Sequence, residues 1–192
     1  GLSAVSGRVE FNVRVPTFQM TNLGQASAMV MNVGTNSTVT LPNLLRWQSG
    51  GINVASGGLL RSPSVASISD LNVSVADTGV FDAPGLQSLY AVPIGLTGSG
   101  AFVATNLTSY RATDIAVTPG RDVRTGLLTD VEYSRLSVSG GLTFRIGATS
   151  YSYPEDWRWQ PAPIFSADGA GSLLDAKTVK TVTTYGAWSG AW

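Results

Sequence analysis

Neither cysteine nor histidine occurs anywhere in the 192 residues. Without cysteine there is no disulfide framework, no thiolate metal site and no sulfur nucleophile. Without histidine there is no Ser-His-Asp or Cys-His arrangement and no imidazole ligand, and the side chain most often used for proton transfer near neutral pH is missing. Charge is scarce as well: Asp, Glu, Lys and Arg make up 12% of the chain, twelve of each sign, for a formal net charge of zero. A protein that grips phosphates displaces counterions with a basic surplus, so no direct nucleic-acid contact is expected. No apolar run reaches the length of a membrane helix, and the opening "GLSAVSGRVE" has neither the basic nor the apolar region of a secretion signal.

The motifs that would announce common chemistries are missing too: no G-x-S-x-G, no G-x-G-x-x-G and no P-loop. What remains to an enzyme is carboxylate chemistry, and only three glutamates exist, Glu10, Glu132 and Glu155. Glu10 falls on the polar face of an alternating segment. Glu132, three residues after Thr129, fits a capping box, and Glu155 adjoins Asp156, so the two carboxylates point to opposite faces of an extended chain. None of these makes the facing pair that glycoside hydrolysis requires. Asp77, Asp82, Asp122 and Asp168 lie near turns without calcium-loop spacing and read as turn residues bonded to their own backbone. No cofactor is expected, and no enzyme.

Present in abundance are short apolar segments with β-forming residues. In "RVEFNVRV" Val9, Phe11, Val13 and Val15 alternate with Arg8, Glu10, Asn12 and Arg14, a period of two. Similar segments occur at Ala28 to Val33, Thr38 to Leu41, Leu44 to Trp47, Ile52 to Ala55, Val65 to Ile68 and Leu71 to Val75. Others lie at Leu89 to Val92, Phe102 to Thr105, Ile115 to Val117, Leu136 to Val138, Leu142 to Ile146 and Thr178 to Tyr185. "SGG" at Ser49 to Gly51 and at Ser139 to Gly141 reads as two hairpin turns. The expectation is an all-β, antiparallel sandwich or barrel of jelly-roll type, one domain over residues 1–192. It has room for one or two short helices, at "TDVEYSRL" and at Ser172 to Lys177. No internal period is evident, which disfavours a β-helix or propeller.

Aromatic residues concentrate toward the C-terminal end. "YSYPEDWRWQPAP" places Tyr151, Tyr153, Trp157 and Trp159 on one parity of an extended chain, with Arg158 between the tryptophans, and "GAWSGAW" adds Trp188 and Trp192. Rigid aromatics of this kind serve as anchors between subunits, as packing within the domain, or as a platform for sugar rings.

These features point to a non-enzymatic structural subunit of a self-assembling particle, a viral capsid or virion protein. Its partners are copies of itself and other shell or fibre proteins, and it works in a virion, outside the cell or at its surface. The N-terminal strand (1–15) and the C-terminal arm (185–192) are candidates for exchange between subunits. Two alternatives are a pilus or surface-filament subunit polymerising by strand donation, and a carbohydrate- or receptor-binding module reading a host glycan.

Overall fold

The computed structural model describes residues 1–120, 122–154 and 165–185, and among them it contains strands and turns but no helix. The strands are parallel throughout, stacked as a β-solenoid of about six turns. The register fixes the repeat. Ala4 lies beside Gln25, Gln25 beside Arg46, Arg46 beside Ser67, Ser67 beside Ser88 and Ser88 beside Ser109, each step being 21 residues. We number the coils accordingly: coil 1 is residues 4–24, coil 2 is 25–45, coil 3 is 46–66, coil 4 is 67–87, coil 5 is 88–108 and coil 6 is 109–129.

Coils 2, 3 and 4 are built the same way, and in coils 1, 5 and 6 the long strand is split in two. In coil 2 a long strand, Gln25–Val33, carries alternating buried and exposed residues and bends at Ala28, whose φ is 56°. A turn then leads to the short strand Thr38–Thr40. A second turn closes the coil, with the Leu44 amide donating to the Leu41 carbonyl at 3.4 Å. The bend recurs at the same place in successive coils: Ser49, Asp70, Ala91, Ala112 and Tyr133 also have φ between 51° and 62°. Alternation within strands aims one side chain in two at the axis, and the 21-residue step lays equivalent side chains on one another. Val33, Val54, Val75 and Leu96 form one buried file; Val39, Leu60, Phe81 and Phe102 form a second; Leu23, Leu44, Val65, Leu86, Leu107 and Leu128 form a third. Each such burial contributes about 1.5–3 kcal/mol, offset largely by the entropy of ordering the chain.

The antiparallel sandwich, and the jelly roll with it, is therefore replaced by a parallel solenoid. An internal period, not evident on reading the sequence, is present at 21 residues. A tight turn in the sequence suggests a reversal of direction, but here every turn is a corner, and two further sides of the coil carry the chain back to a parallel neighbour. Ser49 to Gly51 does not form a hairpin: it lies inside the strand Arg46–Val54, and Gln48 and Gly50 pair in parallel with coils 2 and 4. Ser139 to Gly141 separates Arg135–Ser139 from Thr143–Arg145, which pair with different strands. Neither expected helix forms. Glu132 makes an ion pair with Arg111 across coils instead of capping, and Leu173–Asp175 is a strand.

Beyond coil 6 the repeat first persists, with Asp114 beside Arg135, then widens: Leu136 pairs with Phe165, Thr143 with Leu173 and Ser150 with Thr181, separations of 29, 30 and 31 residues. The separation still grows beyond Phe165, by one residue before Leu173 and by one more before Thr181. At the other end, Ala4–Val5 and Val9–Val13 pair with Gln25–Val33 of their own chain.

Candidate functional site: the outer ladders and an axial trough

Stacking equivalent residues at one-coil spacing turns an exposed polar position into a ladder. Asn32 Nδ2 donates to Asn12 Oδ1 and to Glu10 Oε1, both at 2.8 Å, and Asn53 Nδ2 donates to Asn32 Oδ1 at 2.7 Å. Amides suit this role because each carries donors and an acceptor, so one side chain can receive from one coil and give to the next. Ser74 occupies the next rung, beside Asn53.

Along this ladder runs a shallow trough of about 360 Å³, parallel to the solenoid axis. The amides and Ser74 line one side, Gly34, Ala55 and Ala76 lie at the turn positions beside them, and Arg14 stands at the N-terminal end. The trough is open, uncharged along most of its length, and crosses coils 1 to 4.

A second polar cluster lies near the other end. Arg111 pairs with Glu132 and sits 3.4 Å from Asp130, while its guanidinium lies 5.5 Å from the centre of the Tyr133 ring. Ser109 Oγ donates to Asp130 Oδ2 at 2.9 Å. From the preceding coil, Arg111 thus forms ion pairs with both carboxylates, and Ser109 adds a hydroxyl donor to Asp130. Further along, Arg145 Nε donates to Asp175 Oδ2 at 2.8 Å, and Arg61 lies 3.4 Å from Asp82. Burial pulls the Asp175 carboxyl upward, but the Lys177 amide, Arg145 and the Lys177 charge outweigh it and hold the group below the usual carboxylate range. Asp77 is held low by the Ser99 amide and then by the Ser99 hydroxyl, both at 3.0 Å. Among the described residues no group of three or more carboxylates is placed to hold a metal ion.

Of the aromatic residues singled out in the sequence, Tyr151 is in the core, 1% exposed, its hydroxyl donating to the Ser134 carbonyl; burial raises its phenol well above the ordinary value. Its ring lies 6.4 Å from that of Tyr153 and 4.8 Å from that of Phe165. Tyr153 is half-buried, with the Arg135 guanidinium 5.7 Å from its ring centre. Trp157, Arg158, Trp159, Trp188 and Trp192 lie outside the described residues. The candidate row and the amide ladder are separate features. The ladder is not among the features singled out in the sequence, although Asn12, Asn32 and Asn53 stand 20 and 21 residues apart and their spacing is the signal that marks it.

Comparison with protein-family models, with curated proteins and with solved structures returns no match for this chain.

Proposed function

We propose that the protein is a non-enzymatic structural subunit, a stiff β-solenoid segment of a self-assembling extracellular particle or fibre such as a virion spike. One observation carries this reading: a recurring set of polar side chains joins coil to coil. The hydrogen-bond partners of Asn32, Asn53, Ser56, Ser99 and Ser109 stand 20, 21 or 22 residues away in the chain, and Arg111 pairs with Glu132, 21 away, and with Asp130, 19 away. Polar groups so engaged stiffen a rod against bending and shear, and they leave side-chain hydrogen-bonding capacity mainly at the ends of each ladder. Light scattering across a concentration series, with negative-stain microscopy of the same samples, tests the reading. Rod-shaped particles that associate as concentration rises agree with it; a strictly monomeric species throughout overturns it.

The trough favours a second reading, a receptor- or carbohydrate-binding module. A shallow, uncharged channel walled by amides and running along the axis suits an extended, neutral, polyhydroxylated chain better than a compact charged ligand. A glycan array probed with the protein and with Asn53→Ala tests it: binding lost in the variant supports this reading, and no binding by either form removes it.

A further inference from the structure

We infer that Asn36, Asn72 and Asn106 are acceptor sites for N-linked glycans, carried on the outside of the solenoid when the chain is exported through a glycosylating secretory pathway. This rests on the reading of the protein as one that works outside the cell, and it adds a modification to that reading. Each of the three opens an N-x-[ST] triplet: "NST" at Asn36, "NVS" at Asn72 and "NLT" at Asn106. The modification is a group transfer from a lipid-linked oligosaccharide. The bond between the anomeric carbon of its first sugar and the phosphate oxygen breaks, and a bond from that carbon to asparagine Nδ2 forms. One amide proton is lost, and the lipid pyrophosphate leaves with the electron pair.

The fold divides the asparagines along the same line as the triplet does. Asn12, Asn32, Asn43 and Asn53 use their amides in hydrogen bonds between coils. Two residues on from them stand Arg14, Gly34, Leu45 and Ala55, none of which carries a hydroxyl. Asn36, Asn72 and Asn106 are exposed, and their amides make no hydrogen bond among the described residues. Asn22 is also unengaged, but Gly24 stands where the hydroxyl is needed. A glycan on a ladder amide would break a coil-to-coil bond, whereas a glycan on any of the three acceptors breaks none.

Room matters as much, because equivalent side chains of successive coils stand only about 4.7–4.9 Å apart. At the 21-residue step each acceptor has a glycine at its equivalent position in an adjoining coil: Gly57 beside Asn36, Gly51 beside Asn72 and Gly85 beside Asn106. Gly57 and Gly85 have backbone reasons of their own, a φ of +68° in the first and, in the second, a Cβ that would collide with the Pro63 carbonyl oxygen. Gly51 has no such reason. A Cβ there would meet only ordinary contacts, 3.8 Å from the Asn72 carbonyl oxygen and 4.0 Å from Val30 Cγ1. What its glycine does is leave the Asn72 side chain without a neighbouring side chain on that face. Within the strand Ser67–Val75, Asn72 and Ser74 point the same way and both are exposed, so amide and hydroxyl face solvent together.

The test is secretion of the 192-residue chain behind a cleavable signal from a glycosylating eukaryotic cell, read by intact mass before and after digestion with peptide N-glycosidase. Its unfolding midpoint is compared with that of the same chain from a bacterial strain that adds no sugar. The expected result is three glycans, one fewer in each of Asn36→Gln, Asn72→Gln and Asn106→Gln, none in the triple variant, and the same midpoint with sugars or without. Ala55→Thr supplies the contrast by giving the ladder residue Asn53 the hydroxyl it lacks. A glycan there should lower the midpoint by about 2–4 °C against the same variant from bacteria, the effect of losing one hydrogen bond. A chain secreted without sugar at the three positions overturns the inference, and so does a midpoint lowered by those sugars as much as by one on Asn53. Neither result touches the assembly reading, which light scattering on the triple variant judges separately.

Discussion

Gly50 shows how little freedom a corner allows. Its φ is +101°, and a Cβ there would collide with the Met29 carbonyl oxygen and lie 2.6 Å from the carbonyl carbon. Both objections hold at once: the backbone sits where L side chains are strained, and the obstruction is main chain that cannot rotate away. Met29 O also accepts the Trp47 indole N–H at 3.2 Å, so pushing it aside disturbs a buried ring. Gly50→Ala should lower stability by about 3 kcal/mol or more, measured by urea unfolding. The opposite sign is expected at Ala112, which holds φ 57° at an equivalent bend without a glycine. There Ala112→Gly relieves left-handed strain and should raise stability by about 0.5–1 kcal/mol, partly returned as unfolded-chain entropy.

At the scale of the element, a turn in one coil is tied to the same turn in the next. Asp77 in coil 4 accepts from the Ser99 amide and hydroxyl in coil 5, which lowers its folded-state pKa. A depressed carboxyl contributes stability that is present above the unfolded-state value and is lost as pH falls through the lower folded-state value. Unfolding midpoints taken from pH 7 down through the acid range should therefore show a component that disappears in Asp77→Asn; an unchanged acid profile in the variant would count against the turn-to-turn tie. Inside the same region Phe81 and Phe102 lie 5.5 Å apart, ring centre to ring centre, and neither is exposed. Phe81→Ala should cost about 3–5 kcal/mol in the same urea assay. Single strands were legible in the sequence because alternation is a local property: Ala28 to Val33, Thr38 to Leu41, Ile52 to Ala55 and Leu71 to Val75 all lie largely on observed strands. Their partners were not, since Ser49 and Gly50 announce positive φ without saying whether the chain reverses or merely turns a corner. Tyr151 illustrates the same limit at the candidate row: parity placed it on one face, and only the fold says that this face is inward.

For the whole molecule, the repeat is written in widely separated positions. Pro42, Pro63 and Pro84 stand 21 residues apart, as do Val33, Val54 and Val75, and Leu86, Leu107 and Leu128. What obscures them is that the solenoid keeps the kind of residue at an inner position rather than its identity, Met31 giving way to Ile52 and Val73, while the bends accept Ala, Ser, Asp and Tyr alike. A coil contacts chiefly its two neighbours, so stability is close to a sum of coil and interface contributions. Excising residues 46–66 removes coil 3 whole and joins Leu45 to Ser67, which brings Met31 beside Val73, Asn32 beside Ser74 and Val39 beside Phe81. These are contacts of the kind already made between adjacent coils. The shortened chain should keep a β-type circular dichroism spectrum and unfold cooperatively, with a urea m value lower by about a tenth, in proportion to the surface lost. Excising residues 46–56 instead removes about half a coil and sets the long strand Gln25–Val33 against residues 57–65, which form the short strand Leu59–Arg61 and its flanking turns, so the strand loses its continuous partner and the buried Met29 falls on the exposed Arg61. That protein should fail to give a cooperative transition, and equal tolerance of the two deletions would show that the 21-residue register is not what holds the molecule together.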